Sequence, residues 1–156
     1  IEEVAVAPIL IGCINEQHVL FDQRSLELAE MIDPKVKIFG NKEVLHELFA
    51  NLLSNAAKYA SSGRVSIKLW QQDVAVLFRI TNNIENTELD IDRIWQPFYV
   101  GEPSRNKDLS GTGLGLAIVK KLVDTFHYSI SCEQEGTSLA FTVVFPLCET
   151  ENGSID

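Results

Sequence analysis

Two short stretches hold residues whose type and spacing could do chemistry. The first is "NLLSNAAKYA" at 51–60, where Asn51 and Asn55 are four residues apart and Lys58 follows three later. On a helix such spacing stacks side chains on one face. Two amide oxygens and a cation there could hold a hydrated Mg²⁺ and a phosphate, because Mg²⁺ prefers oxygen ligands and keeps several waters. A solvated polar stripe would have the same spacing, but Asn is a mediocre helix former and two of them mid-helix weaken that reading. The second stretch is "SGTGLGLAIVKKL" at 110–122, with Gly111, Gly113 and Gly115 ahead of an apolar helical pattern. A dinucleotide fingerprint needs its third glycine where Leu116 stands and a strand before the turn, and "NKDLS" is not one. A Walker A loop needs Gly-Lys-Ser/Thr, which is absent. What remains is a helix N-terminus with free N–H donors and the positive end of a dipole, approached through glycines, which suits an anion. A glycine in the first turn costs about 1 kcal/mol. A few charge-assisted bonds to phosphate, at ~1.5–3 kcal/mol each, outweigh that cost. A flexible loop with Gly115 allowing tight packing is the plainer alternative.

These stretches must be positioned by a fold. The chain has 156 residues, 46% hydrophobic and 22% charged, a globular balance sufficient for one cored domain. We assign that domain to 1–148 and read 149–156 as a frayed acidic tail. The net charge of −9 argues against a nucleic-acid binder. Three widely spaced cysteines, Cys13, Cys132 and Cys148, argue against a disulfide framework or a zinc site and fit a reducing cytosol. No apolar run is long enough for a bilayer span. The chain starts without Met, as a piece of something larger would.

Periodicity predicts a helical stretch from Pro8 to about His18, an ambiguous segment at 25–32, and a strand at 35–39 ended by Gly40. It then predicts a helix from Lys42 to about Ala60, capped by Asn41, with Leu45, Leu48, Phe49, Leu52, Leu53 and Ala56 on its apolar face. A hairpin over 64–70 and 74–80 follows, around "QQD". Next come a long connection over 83–110 with a helical patch near "DIDRIW", a helix over 112–126, and a second hairpin over 128–134 and 138–145 around Glu135-Gly136. Helices and antiparallel hairpins sharing one core predict an α/β protein, a two-layer α/β sandwich with a mixed, mostly antiparallel sheet packed on three helices.

"NLLSNAAKYA", "IWQPFY" and "GTGLGLAIVKKL", in this order and at this separation, resemble the N, F and G2 boxes of the ATP-binding catalytic domain of bacterial sensor histidine kinases. Those domains share a Bergerat-type fold with gyrase, Hsp90 and MutL. The resemblance runs from about Glu3 to Pro146, and is greatest to the Gram-positive, VanS-like kinases. It implies ATP and Mg²⁺ as cofactors, with the asparagines matching Asn51 and Asn55 facing Mg²⁺ and the phosphates. Lys58 would pair with phosphate, and Tyr59 would lie near the ribose and base. Gly111, Gly113 and Gly115, with the backbone of Thr112 and Leu114, would form a hinge and N–H cradle. A lid at 97–112 would bring Arg105 and Lys107 to the polyphosphate, its base anchored by Phe98, Tyr99 and Trp95, the last as core packing. Most members carry Asp-x-Gly-x-Gly after the strand "VLFRI". Here "TNNIENTELD" stands instead, with Asn82 where the adenine-binding Asp would fall, a neutral and weaker acceptor.

The resemblance further implies transfer of a γ-phosphoryl to a histidine on a separate dimerisation domain, a homodimeric parent, a response-regulator partner, and tethering at the cytoplasmic face of a membrane. His46-Glu47-Leu48 echoes the acceptor motif but lacks the Arg/Lys-Thr-Pro that follows it, so His46 reads as a surface or packing histidine. His18 and His127 have no partners at motif spacing. Glu47, one turn before Asn51, stands where hydrolytic relatives place a water-activating Glu. Two alternatives stay open: a degenerate protein-binding module of the same fold that has lost nucleotide, and a hydrolytic ATPase of the wider group.

Overall fold

The computed structural model describes residues 1–97, 99 and 115–147. Strand β1 (Glu2–Ala5) leads into helix α1 (Val6–Gln23), followed by β2 (Glu27–Ile32), β3 (Lys37–Gly40) and helix α2 (Lys42–Tyr59). The hairpin β4 (Arg64–Gln72) and β5 (Ala75–Asn83), helix α3 (Gly115–Thr125), and the hairpin β6 (Ser129–Glu135) and β7 (Ser138–Pro146) complete the order.

Alternation explains the sheet. Val65, Ile67 and Leu69 of β4, Val76, Phe78 and Ile80 of β5, and Leu139, Phe141, Val143 and Phe145 of β7 are buried on one side, and their neighbours face out. The five strands lie in the order β2-β4-β5-β7-β6. Among the described residues, only the β2–β4 pair of this sheet is parallel, with Glu27 opposite Arg64, and the other three pairs are antiparallel. A separate two-stranded sheet pairs β1 with β3, antiparallel. The helices cover the inner face of the large sheet. All six residues predicted for the apolar stripe of α2 are buried, and Ala57 joins them. Phe49 sits at the centre, its ring 4.9 Å from Phe78 and 6.2 Å from Phe145.

The expected two-layer α/β sandwich with a mostly antiparallel sheet and three helices is what forms. The Asn41 cap is also present, its side-chain oxygen accepting from the N–H groups of Glu43 and Val44. Three local expectations need correction, and one open segment is settled. α1 starts at Val6 and runs to Gln23, past both expected ends, with Pro8 in its first turn, where no donor is lost. The ambiguous segment at 25–32 resolves as a strand over Glu27–Ile32, because it pairs along β4. The first hairpin turns at Asp73-Val74, Asp73 adopting φ 54, so β4 runs on to Gln72 and β5 starts at Ala75, one residue later than expected, before continuing to Asn83. The patch near "DIDRIW" is a pair of successive turns, Arg93 N–H to Asp90 carbonyl and Gln96 N–H to Arg93 carbonyl, and not a helix. Strand β1 escaped the pattern altogether, since only Val4 of its four residues is buried.

Candidate functional site

The site is built outward from α2. Asn51, Asn55 and Lys58 are each half-buried along one side of this helix. The Asn51 amide nitrogen donates to the Glu47 carbonyl one turn earlier, at 2.8 Å. That bond fixes the amide and leaves Oδ1 as the outward atom. A Cβ built on Gly115 would lie 3.4 Å from this oxygen. The start of α3 therefore comes up against the Asn51 side of α2, and glycine at 115 permits the approach.

The C-terminal end of α2 is held from two directions. Arg24, just past α1, donates from Nη1 to the carbonyls of Ala57 and Lys58 at 2.7 and 2.8 Å, and from Nη2 to that of Ala60 at 2.6 Å. These are carbonyls the helix cannot satisfy itself, and a cation there also complements the negative end of the dipole. The Ser61 N–H donates to the Asn83 carbonyl at 2.7 Å, which ties the end of α2 to the end of β5. Asn82 lies one residue earlier, on the inner side of β5 in line with Val76, Phe78 and Ile80. It is the buried polar residue among the described residues, at 4% exposure, and its amide nitrogen donates to the Asn83 carbonyl at 3.2 Å. Its oxygen is the part able to accept from a ligand.

Of the predicted residues, Asn51 and Gly115 are thus brought together, and Lys58 and Tyr59 lie at the end of α2, which the Ser61–Asn83 bond ties to the strand end carrying Asn82. Asn55 lies between these two points along α2. Arg105, Lys107, Gly111, Thr112, Gly113, Leu114 and Phe98 lie outside the described residues. Trp95 packs edge-on against Phe141, ring centroids 5.8 Å apart, in agreement with a core role. Tyr99 is half-buried beneath the Arg93 guanidinium, 5.0 Å from its ring. His46 contacts Glu16 of α1 at 2.8 Å, as a surface or packing histidine would. Glu47 is exposed one turn before Asn51. Arg24 was invisible to sequence reasoning, because its partners lie 33 to 36 residues away and share no spacing with it. Among the described residues no helix is long and apolar enough to cross a membrane.

Residues 40–149 match the family described as histidine kinase-, DNA gyrase B- and HSP90-like ATPase. The chain is 31% identical over 130 residues to the signal transduction histidine-protein kinase BaeS of Escherichia coli K12, covering 81% of this chain and 28% of that protein. The mycobacterial sensor histidine kinase MprB is 25% identical, with a TM-score of 0.75 over 93% of this chain and 97% of the solved one. ShkA, solved at full length in complex with AMPPNP, shares the fold at a TM-score of 0.75 and 22% identity, covering 93% of this chain and 31% of that one. The chain spans between 16% and 36% of the length of the curated relatives it matches. This chain belongs to the histidine kinase-, DNA gyrase B- and HSP90-like ATPase family, and has the catalytic-domain fold of its bacterial sensor kinases.

Proposed function

We propose that this chain is the Mg-ATP-binding catalytic domain of a two-component sensor histidine kinase. It would supply the γ-phosphoryl for a histidine on a dimerisation domain outside this chain. The observation that carries the reading is the approach of the start of α3 to Asn51 Oδ1. It sets an oxygen donor of α2 against a helix N-terminus, the pairing that a metal-bound polyphosphate needs. Mg²⁺ fits the donor set, since the Asn51 nitrogen is already bonded and an oxygen faces out. When bound, the ion neutralises phosphate charge and orients the triphosphate.

The protein's own part is positioning and charge. Asn51 and Asn55 offer oxygens, Lys58 a point charge for phosphate, and Gly115 a surface without a side chain. Asn82 accepts from the adenine amino group, and Tyr59 lies beside the sugar and base. Arg105 and Lys107, with the amides of Gly111, Thr112, Gly113 and Leu114, complete the phosphate cradle. In the parent protein the domain would work within a homodimer at the cytoplasmic face of a membrane, and the phosphohistidine would serve a response regulator.

Titration calorimetry tests this. Mg-ATP should give saturable heat with the wild-type chain, and Asn55→Ala should weaken binding by ~100-fold, in line with losing a metal ligand and its phosphate. Flat traces for both proteins would instead favour the degenerate protein-binding module, to which the absence of glycines around Asn82 points. Steady phosphate release by the chain alone would indicate the hydrolytic reading, with Glu47 as the base.

A further inference from the structure

His46 remains unused by the nucleotide site, and so does the seam it occupies between α1 and α2. Cys13 and Glu16 are three apart on α1, hence on one side of that helix, and His46 faces them from α2. The Cys13 sulfur, a Glu16 carboxylate oxygen and a His46 ring nitrogen all lie within 4.8 Å of one another. His46 Nε2 is 2.8 Å from Glu16 Oε1, and the Cys13 thiol donates to the His46 carbonyl at 3.6 Å. Cys13 is fully buried while Glu16 and His46 are exposed, so the group is closed by the core on one side and open to solvent on the other.

We propose that Cys13, Glu16 and His46 form a Zn²⁺ site that clamps α1 to α2, one that cysteine spacing could not announce because only one of its donors is a thiol and one comes from another helix. Sulfur, imidazole and carboxylate are the donors of this borderline-soft cation, at bond lengths of ~2.0–2.3 Å. Three donors already gathered across two helices need only side-chain torsions to close on one ion, and water takes the fourth position. Binding converts the Cys13 thiol to a zinc-bound thiolate, and its proton passes to solvent. His46 gives up its contact with Glu16 as both turn to the metal. The site is separate from the nucleotide cleft: at 100° per residue, five positions put His46 about 140° around α2 from Asn51. Zn²⁺ therefore acts by tying α1 to the helix that carries the asparagines, and does not touch nucleotide.

The test uses the 156-residue chain, stripped of metal and free of nucleotide, titrated with ZnCl₂ in a calorimeter. Wild type and His18→Ala should bind one equivalent, the latter controlling for the exposed His18–Asp22 pair. His46→Ala should bind at least tenfold more weakly, and so should Cys13→Ser. His46 is exposed, so its variant keeps the core, which circular dichroism checks. Cobalt(II) adds a direct reading: a sulfur-to-metal charge-transfer band should appear with wild type and be absent from Cys13→Ser. Absence of Zn²⁺ heat with wild type, or undiminished affinity in His46→Ala, overturns the site. A charge-transfer band that survives in Cys13→Ser does the same, by assigning the ligand to another thiol.

Discussion

At Asn82 the chain has an amide where the Asp-x-Gly-x-Gly pattern of the family it resembles has a carboxylate. An aspartate there accepts the adenine amino hydrogen with charge assistance, whereas an amide oxygen accepts without it. Asn82→Leu removes even that acceptor from a buried position. We expect ATP binding to weaken by ~10-fold, about one neutral hydrogen bond. Binding of a triphosphate with a different base should change little, so the preference for ATP collapses. Competition calorimetry with ATP and GTP measures the ratio. A second residue-scale effect concerns pH. Burial, then the charge of neighbouring Glu133, pushes the Cys132 thiol from 9.0 up to about 12. The folded state thus holds the proton more tightly than the unfolded chain. The stability it contributes is complete below pH 9 and is lost as pH rises toward 12. Urea midpoints should fall between pH 9 and 11 in wild type, and fall less in Cys132→Ser. Asn51, Asn55 and Lys58 were legible at this scale because helical spacing alone sets them on one side. Arg24 was not, because three carbonyls reached from another helix leave no trace in its neighbourhood.

At the scale of elements, α2 is both a scaffold of the core and the helix that carries the candidate site, and its two ends are fixed by different means. Asn41 caps the start from within the adjacent sequence. Asn41→Ala should cost about 1 kcal/mol in urea unfolding and leave nucleotide affinity close to wild type, since Asn51 begins more than two turns later. Arg24 holds the other end through Ala57, Lys58 and Ala60, next to the Lys58 ammonium proposed for phosphate. Arg24→Ala should cost roughly 2 kcal/mol, because charge-assisted bonds to partly buried carbonyls are lost. Unlike the Asn41 variant it should also weaken Mg-ATP binding, which calorimetry on the folded variant reads directly. The elements themselves were legible where periodicity is strong. The stripe from Leu45 to Ala56 and the alternation through Val65, Ile67 and Leu69 leave little choice of period. They were illegible where pairing decides: β1 has one buried residue, and 25–32 becomes a strand only because β4 lies beside it.

At the scale of the whole molecule, strand order was beyond the sequence. Hairpins announce β4–β5 and β6–β7, but nothing local says that β7 lies against β5, or that β2 joins the sheet parallel to β4. That order has a thermodynamic consequence. The candidate site draws on α2, the end of β5 and the start of α3, so the Asn51–Gly115 approach and the tie between the ends of α2 and β5 exist only when the sheet and its helices have assembled. An unfolded chain holds no such site, and Mg-ATP should bind the native state alone. The native state then gains RT ln(1 + [L]/Kd), about 2.7 kcal/mol when free nucleotide is 100 times Kd. For a domain of this length 1 kcal/mol moves Tm by roughly 2–4 °C, so saturating Mg-ATP should raise the midpoint by about 5–10 °C. The rise should track the logarithm of nucleotide concentration in differential scanning fluorimetry. It should shrink to about 1–2 °C in Asn55→Ala at the same concentration, because a Kd ~100-fold higher leaves only about 0.4 kcal/mol, while that variant's ligand-free midpoint stays near wild type. A rise of equal size in Asn55→Ala would mean that nucleotide stabilises the fold from somewhere other than this face of α2.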